Sequence, residues 1–134
     1  MIFKISEAAN LGIHALTYLA NNPEAQPVST GLVAEQLDAS ENHLSKVFQR
    51  LTKAGLVKSV RGPSGGFSLA WAPEQITLLE IYEAIDGALK EEACMLGHPA
   101  CDRSECVFGD LISTIHDKVN DHLSKTTLRD LVES

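Results

Sequence analysis

The stretch SENHLSKVFQRLTKAGLVKSVRGPSGGFSLA, residues 40–70, decides the fold, because it predicts a helix followed at once by a short β-hairpin. Ser40 is a suitable N-cap, since its hydroxyl can accept a hydrogen bond from an amide of the first turn. Gly55 can supply the left-handed residue that ends the helix. Between them apolar residues recur at helical spacing; they are Leu44, Val47, Phe48 and Leu51. Residues 56–60 and 66–70 then predict two strands joined by a glycine-rich tip.

Positive charge is concentrated in the same stretch. Five basic side chains and no acidic one lie between residues 46 and 61, whereas the whole chain has a formal charge of −7. Residues 1–70 carry a net charge of +1 (six basic, five acidic), and residues 71–134 carry −8 (five basic, thirteen acidic). Charged residues on a helix are most often merely solvated. Basic residues in a run without acidic neighbours repel each other, however, unless they bind a polyanion. The distribution therefore favours a nucleic-acid interface.

The residues before this stretch complete a helix-turn-helix. A first helix is predicted over residues 6–21, capped by Ser6, and a second over residues 30–37. Residues 38–40 then form a short turn into the third helix. Two short amphipathic helices joined by such a turn are typical of DNA-binding domains, although any small helical bundle can contain them. The basic hairpin that follows makes a winged helix-turn-helix the better interpretation.

The second half of the chain predicts further helices. Thr77 and Glu80 form a capping-box pattern at the start of one helix. A long helix is predicted from about Glu105, and its single apolar stripe suits either the core of a monomer or, preferably, the seam of a twofold dimer. Thr126 or Thr127 caps a final short helix. The predicted fold is thus mainly α-helical with a small β-hairpin wing, and the long C-terminal helix is its dimerisation helix.

This organisation predicts two regions. Residues 1–76 form the winged helix-turn-helix domain, and residues 77–134 contain a sensor loop, at about residues 90–106, and the dimerisation helices. The sequence contains no secretory signal and no apolar run of about 18 residues, so no membrane partner is expected. An odd number of cysteines, three, argues against a secreted disulfide framework and for a cytoplasmic location.

The three cysteines, Cys94, Cys101 and Cys106, lie in a segment without apolar periodicity, separated by six and four residues. Three thiolates on a short loop can converge on a soft metal. The paired spacing of zinc ribbons and the compact run of ferredoxins are both absent. The spacing by itself leaves four interpretations open: an iron–sulfur cluster, zinc, thiol redox sensing, or cysteines without a ligand.

Residues 40–70, the run ITLLEIYEAIDG at residues 76–87 and the three-cysteine loop together resemble the bacterial iron–sulfur-regulator and nitric-oxide-sensor repressors (IscR/NsrR type). The resemblance extends over nearly the whole chain, and the wing sequence VRGPSGGFSLA is its most specific part. It implies a homodimeric winged-helix transcription factor that binds a palindromic operator in double-stranded DNA. It also implies repression switched by redox state, nitric oxide or iron–sulfur status.

The resemblance also assigns residues to DNA. It implies major-groove contacts from Asn42, His43, Ser45, Lys46 and Gln49. It puts the wing at the minor groove, through Arg61, Gly62, Pro63, Ser64 and Gly65. The predicted DNA-binding set is completed by Ser40 and Arg50. Many relatives carry glutamate at the position of Ser45, so their operator preference does not transfer to this chain.

In the family the cysteine loop holds a [2Fe–2S] or [4Fe–4S] cluster, which implies Cys94, Cys101 and Cys106 as ligands here. His14, reaching over from the partner subunit, matches a first-helix histidine that serves some relatives as fourth ligand. Asn10 stands where those relatives have an acid. Other candidates for the fourth position are His98, Glu7 and Asp110.

Two rival functions differ in their chemistry. The first is a regulator of the same fold that senses through its thiols or through a partner protein, without a cluster. The second is an enzyme with Cys94 or Cys106 as nucleophile and His98 or His116 as base. No nucleophile elbow or phosphate-binding loop accompanies those residues, so the sequence argues against an enzyme.

Overall fold

The computed structural model describes residues 4–89 and 105–133. Within these ranges the chain forms five α-helices and one antiparallel hairpin, which confirms the predicted fold class. The elements are α1 (Glu7–Asn21), α2 (Thr30–Gln36), α3 (Glu41–Lys53), β1 (Val57–Val60), β2 (Gly66–Leu69), α4 (Leu78–Asp86) and α5 (Leu111–Lys125). Three short 3-10 helices lie between or after them, at Pro23–Ala25, Pro73–Gln75 and Leu128–Leu131.

Most helix ends follow the capping chemistry of the sequence. The Ser40 hydroxyl accepts a hydrogen bond from the amide of His43 at 3.2 Å, and Gly55 adopts a left-handed φ of 81° directly after α3. At the start of α4, the amide of Glu80 donates to the Thr77 hydroxyl and the Glu80 carboxylate accepts from the amide of Thr77, both at 3.1 Å. These local hydrogen bonds satisfy amides that have no partner within the helix.

The start of the long helix differs from the prediction. Instead of beginning near Glu105, α5 begins at Leu111, after a turn at residues 107–110. Gly109 has a left-handed φ of 61°, which a continuous right-handed helix cannot contain. The apolar periodicity that extends back to Phe108 is therefore not helical there, and Phe108 is 47% exposed.

One hydrophobic core connects the two predicted regions. It is formed by the inner faces of α1, α3 and α4 and also includes Leu123 and Leu128, which are 6% and 0% exposed. The helix α4 packs against α1 at Gly12, where an added Cβ would lie 2.5 Å from the side-chain atom Ile85 Cδ1. Packing is therefore continuous across the boundary that the sequence predicts at residue 76.

The C-terminal segment is fixed to the start of α4. The amide of Leu78 donates to the Thr126 carbonyl, and the amide of Leu128 donates to the Ile76 carbonyl, each at 2.9 Å. Thr127 caps the final short helix, as predicted, because the Asp130 carboxylate accepts from its amide at 2.9 Å. Among residues 4–89 and 105–133, no helix combines the length and apolarity that a membrane crossing requires.

Candidate nucleic-acid interface

The turn between α2 and α3 sets the direction of the third helix. Asp38 adopts a left-handed φ of 51°, and the amide of Ala39 donates to the Ala34 carbonyl at 2.9 Å. Aspartate tolerates this conformation better than most side chains. Because the Ser40 cap follows immediately, α2 and α3 form the compact helix-turn-helix that the sequence predicts.

The helix α3 has one buried and one exposed face. Its apolar stripe is buried in the core, with every member at most 1% exposed. The polar residues predicted to reach DNA lie away from this stripe: Ser40, Asn42, Lys46 and Gln49 are exposed, and His43 and Ser45 are half-buried. This arrangement leaves one face of α3 free for the edges of bases in a major groove.

The wing is a tight two-stranded hairpin, and its register is fixed by Ser59 opposite Phe67 and Val60 opposite Gly66. The amide of Gly65 donates to the Gly62 carbonyl at 2.9 Å, which closes the tip. An added Cβ at Gly65 would overlap the carbonyl oxygen of Val60. Four of the five predicted tip residues are exposed, namely Arg61, Gly62, Pro63 and Ser64. A tip with so few side chains can approach a phosphate backbone closely.

The wing is also attached to the segment before α2. Val28 and Phe67 form an isolated antiparallel bridge, with amide-to-carbonyl distances of 2.9 and 2.8 Å. The Gln26 side chain accepts from the amide of Leu69 at 2.9 Å. Residues 26–28 thus hold the hairpin at β2 and contribute to the placement of the candidate DNA-binding tip. Their sequence contains no motif that would have predicted this pairing.

The cations of this surface fall into two groups. Lys46, Lys53, Lys58 and Arg61 are exposed, and within the described ranges none of them lies within salt-bridge distance of a carboxylate. Arg50 differs, because its Nη1 donates to the Ile85 carbonyl at the end of α4, at 3.0 Å. The unpaired group forms a positive surface that runs from α3 to the wing, which is suited to phosphate.

His14 is the candidate metal ligand that the structure describes most fully. Its Nδ1 lies 2.8 Å from the Asn10 carbonyl and therefore acts as the donor, so that in the neutral imidazole the lone pair is on Nε2. His14 is exposed and lines a cleft of about 390 Å³ with Glu7, Asn10, Ser40 and His43, among others. A backbone hydrogen bond of this kind orients many metal-binding histidines.

The cysteine segment is described only at its end. Cys106 is half-buried and has a free thiol, whereas Cys94, Cys101 and His98 lie outside the described residues. Asp110 is exposed just before α5. Within the described ranges, no three His, Cys, Asp or Glu side chains converge as a metal site would require. The three-thiolate ligand set predicted by the sequence consequently stays a prediction.

Comparisons with known proteins agree with this geometry. Residues 5–134 match the model of the Rrf2 family, described as an iron-dependent transcriptional regulator. The chain is 35% identical to the putative HTH-type transcriptional regulator BadM of Rhodopseudomonas palustris, over 96% of this chain and 78% of that one. It is 30% identical to the HTH-type transcriptional regulator IscR of Escherichia coli, over 98% and 81%.

A solved structure is similar over the whole length as well. The global cysteine regulator CymR of B. subtilis superposes with a TM-score of 0.81 at 32% identity, over 96% of this chain and 95% of that one. These proteins are transcriptional regulators and not enzymes, which agrees with the expectation from the sequence.

Proposed function

The chain belongs to the Rrf2 family of DNA-binding transcriptional regulators, and on this premise we propose that it is a homodimeric repressor whose operator affinity is switched by its cysteine segment. The observation that carries the proposal is the positive surface from α3 to the wing, in which Lys46, Lys53, Lys58 and Arg61 have no carboxylate partner within the described ranges. The chain as a whole has a formal charge of −7, whereas this surface is positive. Binding to phosphates stabilises such a surface, because it relieves the repulsion among its cations.

In the proposed complex α3 enters the major groove and reads bases through Asn42, Lys46 and Gln49, with His43 and Ser45 beside them. The wing, with Arg61 and the glycines of its tip, follows the adjacent minor groove. The helix α3 is 13 residues long, enough to lie across a groove about 12 Å wide. The Ser40 hydroxyl oxygen already caps α3 by accepting from the His43 amide. Ser40 therefore contributes to the complex through its hydroxyl proton and its backbone.

We propose that the dimer forms through α5 and the residues just before it. Val107, Phe108 and Leu111 are 68%, 47% and 48% exposed, which is unusual for adjacent large apolar side chains in a monomer. An apolar groove between Ile5 and Ile115 continues this surface along α5. A twofold dimer would cover these residues and present two α3 helices to paired half-sites about one helical turn apart.

For the switch we propose an iron–sulfur cluster on Cys94, Cys101 and Cys106, with His14 of the partner subunit as fourth ligand. Three thiolates suit iron–sulfur chemistry, and the His14 Nε2 lone pair is free because Nδ1 is held by the Asn10 carbonyl. When bound, such a cluster supplies a centre that reacts with oxidants and nitric oxide. The three cysteines would bind the cluster, and the Asn10 carbonyl would orient the imidazole of His14, which lies on α1.

A second candidate is a thiol-based switch without a cluster. The similarity to CymR, which is named as a cysteine regulator, favours it. The half-buried free thiol of Cys106 is compatible with either mechanism. The two differ in whether iron and sulfide accompany the protein when it is purified without oxygen.

The decisive experiment has two parts. Selection from a random duplex library should enrich palindromic sites whose half-sites lie about 10 base pairs apart. Protein purified without oxygen should show visible charge-transfer absorption with matching iron and sulfide, and His14→Ala should alter that spectrum while the matched variant His122→Ala, on α5, does not. Colourless, iron-free protein would support the thiol switch, and failure to enrich any site would contradict DNA recognition itself.

A further inference from the structure

The last turn of α4 contacts both helices that carry the candidate sites. The Ile85 carbonyl accepts from Arg50 on α3 at 3.0 Å, while the Ile85 side chain, 7% exposed, packs against α1 at Gly12. The neighbouring Asp86 carboxylate accepts from the amide and the hydroxyl of Ser6, at 3.1 and 2.5 Å. Two consecutive residues therefore join the end of α4 to the start of α1 and to α3.

The Arg50 contact is favourable for two reasons. The carbonyls of the last helical turn have no partner within the helix, so the guanidinium satisfies an acceptor that would otherwise depend on water. A cation at this end also opposes the partial negative charge of the helix dipole. Arg50 is thus held in the fold by its guanidinium, in contrast to the side chain of Lys53, which is one turn further along α3 and has no hydrogen bond within the described ranges.

The last turn of α4 lies close in the chain to the predicted sensor loop. Gly87, with a left-handed φ of 84°, ends α4 directly after Asp86. Only residues 87–89 separate Asp86 from residue 90, where the predicted sensor loop begins. A change in how that loop is held can therefore be transmitted along the chain to the last turn of α4.

We propose that Arg50 is a positioning residue that couples the cysteine segment to the DNA-binding face through the Ile85 carbonyl. The proposal rests on the proposed switching function. It replaces the interpretation of Arg50 as a DNA ligand, which the sequence favoured because Arg50 belongs to the basic run of α3. Coupling of this kind appears as a change in the ratio of two affinities, whereas a phosphate contact appears in the salt dependence.

The test compares operator affinity in two forms of the full chain, one with all cysteines and one with Cys94→Ser, Cys101→Ser and Cys106→Ser. Fluorescence anisotropy on the selected duplex, without oxygen and over a salt series, gives the ratio of the two affinities and the salt slope. The ratio and the slope are each measured for the chain with Arg50, for Arg50→Met and for the matched variant Lys53→Met. Like Arg50→Met, Lys53→Met removes one positive charge from α3.

We expect Arg50→Met to lower the affinity ratio by about threefold or more while the salt slope stays at the wild-type value. Lys53→Met should leave the ratio unchanged. Arg50→Lys, which keeps the charge but has one donor nitrogen on a shorter side chain, should give a ratio between those of wild type and Arg50→Met. The Lys variant also provides the comparison if the Met variant does not fold.

The outcomes separate this proposal from the one it rests on. A ratio preserved in Arg50→Met overturns the coupling, and a salt slope reduced by about 0.9 at a preserved ratio assigns Arg50 to a phosphate instead. A wild-type ratio of one overturns the proposed switching function and the coupling with it.

Discussion

The aromatic rings of Phe48 in α3 and Phe67 in β2 stack with their centroids 4.3 Å apart and their planes 5° from parallel. Phe48 is fully buried, and the backbone of Phe67 is paired on its other side with Val28. The helix α3 and the wing are therefore joined by side-chain packing as well as by the chain between them. This contact fixes how the two elements of the candidate interface are placed relative to each other.

The first prediction concerns that pair. Phe48→Leu and Phe67→Leu should each destabilise the protein, and the double variant should lose less than the sum of the two by about 0.5–1.5 kcal/mol, because the stacking is lost only once. Urea denaturation at a fixed protein concentration measures the difference. Additive losses, within about 0.3 kcal/mol, would mean that the rings do not interact energetically.

The second prediction concerns the wing backbone at Gly66. Its φ is 154°, and an added Cβ would overlap the carbonyl of Val28. Gly66→Ala should therefore break the Val28–Phe67 bridge, lower the free energy of unfolding by about 1–3 kcal/mol and weaken operator binding. Ser64→Ala, at the exposed tip, is the control and should change stability by less than about 0.5 kcal/mol. Equal stability of the two variants would contradict the close approach of β2 to the Val28 backbone.

The third prediction concerns Arg61 at the base of the wing tip, which is exposed and has no carboxylate partner within the described ranges. Arg61→Ala should weaken binding to operator and random duplexes alike and reduce the salt slope by about 0.9, since one phosphate contact is lost. Anisotropy over a salt series measures the slope. The control Lys118→Ala, which removes an exposed charge from α5, should leave the salt slope unchanged. If Arg61→Ala also left the slope unchanged, the wing would not belong to the interface.

The fourth prediction separates base reading from charge. Lys46 is exposed on the free face of α3, so Lys46→Ala should cost about 1–3 kcal/mol of binding free energy on the selected operator. Binding to a random duplex should fall much less, because a base contact adds affinity only at the correct sequence. If both duplexes lose the same amount, Lys46 contacts the phosphate backbone and reads no base.

The fifth prediction concerns alkaline pH. Burial, assisted by the carboxylates of Asp86 and Glu83, raises the pKa of the Tyr82 hydroxyl, which donates to the Lys4 carbonyl at 3.2 Å. The unfolded chain then loses this proton at a lower pH than the folded one. The contribution to stability is complete below the ordinary tyrosine pKa near 10 and is lost as the pH rises through the folded value.

Tyr82→Phe should accordingly be less stable than wild type at pH 7, by about 0.5–1.5 kcal/mol for the lost hydrogen bond. Its stability should also fall less steeply with pH above about 10. Urea denaturation between neutral and alkaline pH measures both differences. Parallel stability curves for the two proteins would exclude Tyr82 as the source of the alkaline loss.

Local chemistry explains why so much of the fold could be predicted from the sequence. The caps at Ser40 and Thr77 and the terminator at Gly55 act within one helical turn, so a few neighbouring residues are sufficient to specify them. The apolar stripe of α3 and the short basic hairpin likewise depend on periodicity and on turn residues close together in the chain. The exposed faces predicted for DNA follow from the same periodicity, although their contacts with DNA stay predictions.

The remaining features depend on residues that are distant in the chain. No local pattern pairs Val28 with Phe67, stacks that ring on Phe48, or directs Arg50 to a carbonyl 35 residues away. Local sequence was sufficient to specify most helices, strands and turns and to show where the positive charge is concentrated. Which of those cations have no partner in the described part of the fold, and which one donates a hydrogen bond to the backbone, was settled by the folded arrangement, because that choice depends on packing between α3 and the end of α4.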